Sequence, residues 1–176
     1  MKYKINLSIN IILGLILVFI AGCQKGNFEK LKPNIVVIFI DDMGYGDISC
    51  FGDQTINTPN IDALADSGII FTNFYVNSPI CSPSRVALNT GTYPMRHRIH
   101  SYIANSKKNK NRAMANYLDP SVNTLASTLR DNGYTTGHFG KWHMGGGRDI
   151  GNVPLPTEYG FEKSLVSFEG VGDRLL

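Results

Sequence analysis

The stretch from Cys81 to Arg85, which reads Cys-Ser-Pro-Ser-Arg, combines residue types suited to nucleophilic chemistry. It places a candidate nucleophile, Cys81, at the start of a predicted helix whose first position is Pro83. The unpaired backbone N–H groups of a helix N-terminus favour an anionic ligand, and Arg85 adds a forked donor for an oxyanion. Taken alone, Cys81 is better interpreted as a small buried cysteine beside a helix cap.

An acidic pair, Asp41 and Asp42, follows directly on the apolar run Ile35–Ile40. A continuously apolar, β-branched run is typical of a strand buried on both faces of a parallel sheet. Ligands of such sheets bind at the carboxyl ends of the strands, where this pair is expected to lie. For an isolated Asp-Asp pair, a solvated turn after a strand is the favoured alternative.

Lys141 and His143 form a third polar cluster, which follows the predicted strand Tyr134–Phe139. Because Cys81 also lies between a predicted strand and a helix, we expect the three clusters to converge on one edge of the sheet. A histidine beside a tryptophan is by itself more often structural, so its functional interpretation depends on the neighbouring clusters.

Strands and helices alternate along the chain that must position these residues. Helices are predicted over Thr58–Gly68, Ser82–Gly91 and Asn123–Asn132, and Ile69–Val76 is strand-like. The stretch 92–118 is polar and irregular. This alternation predicts an α/β domain with a mainly parallel sheet flanked by helices.

The N-terminal residues Met1–Gly22 have the layout of a signal peptide, with a basic start, the apolar run Ile9–Ile20 and small residues before Cys23. That run is short for a membrane-spanning helix, which needs about 20 residues. The four residues ending at Cys23 resemble the bacterial lipobox, whose cysteine is lipidated. We expect an exported membrane lipoprotein that faces the periplasm or the cell surface, with a tether over 23–32 and the domain over 33–176. An uncleaved N-terminal anchor is the alternative.

The mature chain is nearly neutral and large enough to fold. Removing Met1–Gly22 leaves 154 residues and removes two lysines, so the formal charge falls from +3 to +1. This balance argues against a nucleic-acid partner, which usually requires a strongly basic face. Apart from Cys23, the cysteines are Cys50 and Cys81, and a disulfide between them stays open.

Positive charge is concentrated in one stretch of the chain. Between Ser67 and Leu118 there are seven Lys or Arg residues and no acidic residue. One interpretation is a basic approach for an anionic substrate. The other is a solvated loop, which is favoured for Lys107, Lys108 and Lys110.

The stretch Cys81–Gly91 resembles the signature of the sulfatases, an alkaline-phosphatase-like family in which a maturation enzyme oxidises the cysteine to formylglycine. Further stretches match the same family in the same order: Asp41–Asp47, Thr58–Asp62 with Gly68 and Phe71–Asn73, Gly140–Gly145, and Tyr159–Phe161. The resemblance runs from about Lys32 to the end of the chain. Five ordered matches are far more specific than a lone Cys-x-Pro-x-Arg.

The resemblance implies a sulfuric ester hydrolase that acts on sulfated glycans or on aryl or alkyl sulfates. A serine that attacked a sulfate ester would remain sulfated, whereas a hydrated aldehyde uses one hydroxyl to attack sulfur and the other to expel sulfate. Arg85 is expected to hold the hydrated aldehyde and Lys141 to bind the sulfate. His143 is expected to help deprotonate the second hydroxyl.

The resemblance also implies a calcium ion bound by Asp41, Asp42 and the modified Cys81. Calcium takes about 6–8 oxygen ligands, and the sulfatase family supplies the others from a later part of the chain. We therefore expect a truncated chain with half of the site and little or no activity. Thr92 stands where the family usually has an arginine, which affects one contact outside the immediate site.

Two other interpretations remain open. Phosphonate monoester and phosphodiester hydrolases share the scaffold and sometimes the formylglycine. The chain could instead be an inactive, truncated surface lipoprotein.

Overall fold

The computed structural model describes residues 32–52, 55–146 and 153–168 of the 176-residue chain. The chain divides into two units, Met1–Ile40 and Asp41–Leu176. The predicted signal peptide, the predicted lipidation site Cys23 and most of the predicted tether lie outside the described residues. Among those described, no helix has the length and apolar character needed to cross a membrane.

Four α-helices lie among the described residues: α1 (Pro59–Ser67), α2 (Cys81–Thr90), α3 (Ser106–Asn111) and α4 (Leu125–Asp131). Short 3-10 helices cover Ser49–Phe51, Pro94–His97 and Pro156–Tyr159. Three α-helices coincide with those that the sequence predicts. The remaining helix, α3, lies in the polar stretch 92–118, for which no element is predicted. The Asn105 side chain caps α3 by accepting from the Lys108 N–H at 2.9 Å.

Helix α2 carries the candidate nucleophile, and it begins earlier than predicted. Cys81 is its first residue and Pro83 its third, so the proline is not at the first position. The helix ends at Gly91, whose φ of +64° is a left-handed conformation that glycine adopts without strain. Val86 on this helix is fully buried, which anchors α2 in the core.

The sheet of the described residues has two parallel strands, β1 (Gly137–Lys141) and β2 (Lys163–Ser167). Their register runs from Gly137 opposite Lys163 to Lys141 opposite Ser167. The prediction of a parallel sheet with flanking helices is confirmed. Strand β1 is displaced from the predicted Tyr134–Phe139, so Lys141 ends the strand and does not follow it.

Two strand predictions are wrong. Neither Ile35–Ile40 nor Ile69–Val76 forms a strand, and their apolar side chains are largely exposed, with Val36 83% and Tyr75 82% accessible. An apolar run indicates a preference for burial, but a strand also needs a paired neighbour, and the described sheet consists of β1 and β2 alone.

The core of the second unit surrounds the fully buried Trp142, between α2 and the ends of both strands. Its buried members are Val86, Ile99, Ile103, Met114, Leu118, Trp142, Met144, Tyr159, Val166 and Phe168. Polar bonds connect this core to the helices. The Tyr159 hydroxyl donates to the Leu118 carbonyl at 2.6 Å, and Thr124, the N-cap of α4, donates to the Tyr159 carbonyl at 2.5 Å.

Helix α1 is held by polar bonds, since it has no buried residue. Ser49 Oγ donates to Asp62 Oδ2 at 2.6 Å, and Thr58 Oγ1 donates to Asp62 Oδ1 at 3.2 Å. The Thr58 N–H donates to Ser49 Oγ at 3.0 Å. These bonds connect α1 to the segment that follows the acidic pair.

Candidate active site

Three distant parts of the chain meet at Asp41. Arg85 Nη2 donates to Asp41 Oδ1 at 3.1 Å, across 44 positions. Lys141 Nζ donates to Asp41 Oδ2, across 100 positions. The Asp41 side chain is 30% exposed, against 7% for Arg85 and 19% for Lys141. The structure thus brings one residue from each of the three predicted clusters into direct contact.

The end of β1 belongs to the same cluster through its backbone. Arg85 Nη1 donates to the Lys141 carbonyl oxygen at 2.7 Å. Because a carbonyl can only accept, His138 Nε2 is the donor in its 3.2 Å contact with the same oxygen. Both terminal nitrogens of Arg85 are therefore engaged, one on Asp41 and one on β1.

The electrostatics of this cluster keep Asp41 ionised. Burial by itself raises the pKa of Asp41, but the hydrogen bonds and positive charges of Lys141 and Arg85 outweigh it, and the net pKa is lowered. An ionised carboxylate between two cations gives the three side chains one net positive charge. With further positive charge nearby, these three side chains could take part in binding an anion.

Asp42 is adjacent to Asp41 and carries a strained backbone. Its φ of +56° lies in the left-handed region, and the residue is exposed. Such a conformation costs a non-glycine residue about 1 kcal/mol or more and is often found at functional sites. Together with Asp41, Arg85 and Lys141 it makes the local charge zero, so an anionic substrate would need an additional cation.

The two carboxylates suit a calcium ion in their chemistry, because calcium prefers hard oxygen ligands. They supply only part of the about 6–8 oxygens that calcium takes. Within residues 32–52, 55–146 and 153–168, no group of three or more His, Cys, Asp or Glu is placed to hold a metal. Asp41 and Asp42 thus fit as part of a calcium site, not as a complete one.

Cys81 is a free, partly buried thiol at the N-terminus of α2. Cys50 is free as well, so the open possibility of a disulfide between them is not realised. Arg85 follows Cys81 by four positions, which places both on one face of the helix. A group formed at Cys81 would therefore lie on the same face of α2 as Arg85.

His143 is buried, with 4% of its surface accessible, and its φ is +49°. Its Nε2 lies 3.0 Å from the carbonyl oxygen of Ile103. Since the carbonyl can only accept, Nε2 carries a hydrogen and is the donor of this bond. His143 and Lys141 flank the fully buried Trp142, which fixes this turn of the chain in the core.

The sequence does not mark Ile103, Ser82 or His138 as functional. In the structure Ile103 accepts from His143, His138 donates to the Lys141 carbonyl, and Ser82 accepts from Ile103. The Ile103 N–H donates to Ser82 Oγ at 3.0 Å, while its carbonyl accepts from His143. Contacts through the Ile103 backbone leave no signature in its side chain. A possible signal for Ser82 is its hydroxyl next to the candidate nucleophile.

A family profile described as Sulfatase matches residues 33–174. The chain belongs to the sulfatase family. Within this family the parallel sheet with flanking helices is a part of the alkaline-phosphatase-like fold.

Named sulfatases are similar to this chain over most of its length. The N-acetylgalactosamine-6-O-sulfatase of Bacteroides thetaiotaomicron is 39% identical over 158 residues, which cover 84% of this chain and 30% of that protein. Arylsulfatase A of Homo sapiens is 41% identical over 133 residues, which cover 76% of this chain and 25% of that protein. The chain therefore spans under a third of the length of these relatives.

Solved structures agree with the sequence relatives. Ps i-CgsB matches with a TM-score of 0.66 at 36% identity, over 79% of this chain and 29% of that one. Its complex with k-i-k-neocarrahexaose matches with a TM-score of 0.61. The phosphonate monoester hydrolase of Agrobacterium radiobacter matches at 27% identity with a TM-score of 0.55, over 76% of this chain and 26% of that one.

Proposed function

We propose that this protein is a sulfatase that hydrolyses sulfate esters at the site formed by Asp41, Cys81, Arg85 and Lys141. The observation that carries the proposal is the contact of Arg85 and Lys141 with Asp41 beside the N-terminus of α2, in a chain of the sulfatase family. One hydroxyl of a hydrated formylglycine derived from Cys81 would attack sulfur and displace the alcohol of the ester. Loss of the proton of the second hydroxyl would then re-form the aldehyde and expel sulfate.

Each residue of the site would contribute charge or proton transfer. Arg85, fixed on Asp41 and on the end of β1, would orient the group at position 81 and stabilise its charge. Lys141 would bind a sulfate oxygen from the end of β1. His143 would accept the proton of the second hydroxyl, because its Nε2 already donates to Ile103 and leaves Nδ1 as the accepting nitrogen.

Asp41 and Asp42 would hold a calcium ion, together with the modified residue 81 and with ligands beyond the described residues. The ion would supply the positive charge that the local charge balance of the four side chains lacks, and so favour a bound sulfate.

The substrate class that we propose is a sulfated glycan. The chain is similar to an N-acetylgalactosamine-6-O-sulfatase and to Ps i-CgsB, which has been solved with k-i-k-neocarrahexaose. In this chain itself, the stretch between Ser67 and Leu118 has seven Lys or Arg and no acidic residue. Such a stretch attracts polyanions and speeds their encounter with the site.

The test is sulfate release by protein co-produced with a formylglycine-generating maturation enzyme. Sulfated N-acetylgalactosamine, a sulfated oligosaccharide and an aryl sulfate would be offered, and mass spectrometry of the peptide with residue 81 would report thiol or aldehyde. Cys81→Ala should abolish release, while Cys50→Ala, which removes the other described thiol, should keep it. Aldehyde at position 81 without sulfate release from any of the esters would overturn the proposal for this chain and would support the expectation, drawn from the sequence, of little or no activity.

A second candidate activity is the hydrolysis of phosphonate monoesters or phosphodiesters. It is favoured by the similarity to the phosphonate monoester hydrolase of Agrobacterium radiobacter. An aryl phosphonate ester and a phosphodiester belong in the same assay. Turnover of these esters with Cys81 intact, and none of the sulfate esters, would assign the chain to this activity.

For localisation we propose export and lipidation at Cys23, based on the sequence pattern of Met1–Cys23. Metabolic labelling with a fatty-acid analogue in a bacterial host should label the protein and place it in the membrane fraction. Cys23→Ala should remove the label, and Cys50→Ala should retain it. Equal labelling of both variants would contradict the proposal.

A further inference from the structure

A buried chain of two hydrogen bonds connects the helix of the candidate nucleophile to His143. The Ile103 N–H donates to Ser82 Oγ at 3.0 Å, and the Ile103 carbonyl accepts from His143 Nε2 at 3.0 Å. Ser82 and Ile103 have no accessible surface, and His143 has 4%. In this dry environment, losing one partner leaves a buried polar group unsatisfied, which makes the arrangement sensitive to single substitutions.

The chain determines which nitrogen of His143 can accept a proton. A bond from Nε2 to a carbonyl requires hydrogen on Nε2, and of the two neutral tautomers only the one with Nδ1 as the acceptor meets this requirement. If the Ile103 peptide turned away, this preference would be lost. The Ile103 N–H and the Ile103 carbonyl belong to the two peptide groups that meet at the Ile103 Cα. Ser82 Oγ accepts from the first and His143 donates to the second, so Ser82, the residue next to Cys81, acts on the carbonyl through the Ile103 backbone.

The backbone at His143 is held in an unfavourable conformation, so its ring position depends on its surroundings. Its φ is +49°, and its N–H donates to the Phe168 carbonyl at 2.7 Å. The neighbouring Met144 carbonyl accepts from the Leu118 N–H at 2.8 Å. A left-handed non-glycine residue persists only where the surrounding contacts determine it. The backbone bonds fix the main chain, while the contact with Ile103 fixes the ring.

We propose that Ser82 is a positioning residue: through the backbone of Ile103 it holds His143 in the Nε2–H tautomer and couples that tautomer to the helix that carries Cys81. Ser82 touches neither substrate nor reacting atoms in this role. Its contribution is to keep the accepting nitrogen of His143 in a constant place relative to position 81. The inference rests on the proposed function for its catalytic consequence, but the tautomer itself does not.

The first experiment is a long-range ¹H–¹⁵N correlation spectrum of the histidine rings in the wild-type protein, which distinguishes the two neutral tautomers. The Nε2–H form of His143 is expected, and the Nδ1–H form would overturn the inference. This measurement needs no variant and no turnover, so it decides the tautomer separately from the question of sulfatase activity.

The second experiment compares Ser82→Ala with Ser82→Thr, which retains a hydroxyl. In Ser82→Ala, hydrogen exchange of the Ile103 amide should accelerate at least about tenfold, and the His143 ring should show a mixture of tautomers. Sulfate release should fall about 10-fold to 100-fold in kcat, by analogy with the loss of a partner that orients a metal-ligating histidine, with little change in KM. Ser82→Thr should restore both properties.

A matched control is Thr90→Ala at the other end of α2, where Thr90 Oγ1 donates to the Val86 carbonyl at 2.8 Å. This variant removes a hydroxyl bond from the same helix but has no bond to Ile103 or His143. It should keep the His143 tautomer and the kcat. An unchanged tautomer in folded Ser82→Ala, or an equal change in Thr90→Ala, would overturn the role of Ser82. If Ser82→Ala does not fold, Ser82→Cys, which keeps a weak acceptor, would carry the comparison.

Discussion

The guanidinium of Arg85 lies 3.1 Å from the carboxylate of Asp41, although 44 positions separate the two residues. The same guanidinium binds the carbonyl of Lys141 at 2.7 Å. Arg85 therefore connects α2 with Asp41 and with the end of β1, and this connection requires no bound substrate. Because its side chain is 7% exposed, the loss of these bonds cannot be fully compensated by water.

Arg85→Ala should reduce both stability and turnover. The variant removes the buried donor that Asp41 and the Lys141 carbonyl share, although Lys141 still donates to Asp41 and His138 to the carbonyl, and we expect the free energy of unfolding to fall by about 2–4 kcal/mol. Arg85→Lys should have an intermediate effect, because an ammonium group cannot span both acceptors. Denaturant titration measures the change.

The control is Arg130→Ala, whose pair with Asp131 is 43% and 67% exposed and should contribute about 0.5 kcal/mol or less. An equal loss in both variants would show that the Arg85 contacts have no special role.

Tyr159→Phe should destabilise the core without changing its shape. The Tyr159 hydroxyl is buried and donates to the Leu118 carbonyl at 2.6 Å, and burial raises the pKa of the phenol. Removing the donor leaves that carbonyl unsatisfied, which should cost about 1–2 kcal/mol of unfolding free energy. Tyr93→Phe is the control, because Tyr93 is 69% exposed. A thermal unfolding midpoint that shifts equally in both variants would contradict the expectation.

Local sequence signals predict the helices of this protein well. Proline at Pro59 and glycine at Gly91 mark the start of α1 and the end of α2, since each residue has a backbone preference that operates without tertiary contacts. The convergence of Asp41, Arg85 and Lys141 could be expected because their motifs lie near predicted strand ends or helix starts.

The strands and the backbone contacts could not be predicted in the same way. The runs Ile35–Ile40 and Ile69–Val76 have strand-like composition, but pairing depends on a neighbour that composition does not specify. Asp42 and His143 adopt positive φ, which a non-glycine residue does not signal. Ile103 acts through its peptide group, so its side chain gives no indication of the contact with His143.

His138 should make the stability of the protein fall in mildly acidic solution. Burial lowers the pKa of His138; the hydrogen bond to the Lys141 carbonyl opposes this, and the charge of Arg85 lowers the pKa further. Because the unfolded chain then binds the proton more tightly, the folded state is favoured least at low pH. The stability that depends on neutral His138 is fully present above the ordinary histidine pKa of 6.5, and it is lost as the pH falls through the lowered pKa of His138.

His138→Gln should remove this part of the pH dependence. The midpoint of thermal unfolding would be measured at about pH 7.5 and about pH 5.5, on either side of the ordinary histidine pKa. The wild-type protein should lose more on acidification than the variant. The control is His100→Gln, at an exposed histidine, and its thermal midpoint should fall between the two pH values by as much as that of the wild-type protein. A pH dependence that His138→Gln leaves intact would show that the lowered pKa does not govern it.

Lys107 and Lys110 should contribute to the binding of a sulfated glycan. They line an open hollow of about 450 Å³ with Ser106, Met114 and Asn116, whereas Lys108 lies 4.8 Å from the ring centre of Tyr102 and donates to its hydroxyl. Lys107→Ala combined with Lys110→Ala should weaken binding of a sulfated oligosaccharide by about 0.2–1 kcal/mol per lysine and make it less sensitive to salt.

Lys163→Ala, which removes an exposed lysine from β2, should leave both properties unchanged. Binding would be measured by isothermal titration at two salt concentrations. If the double variant and Lys163→Ala lose equal affinity, net charge and not the hollow attracts the glycan.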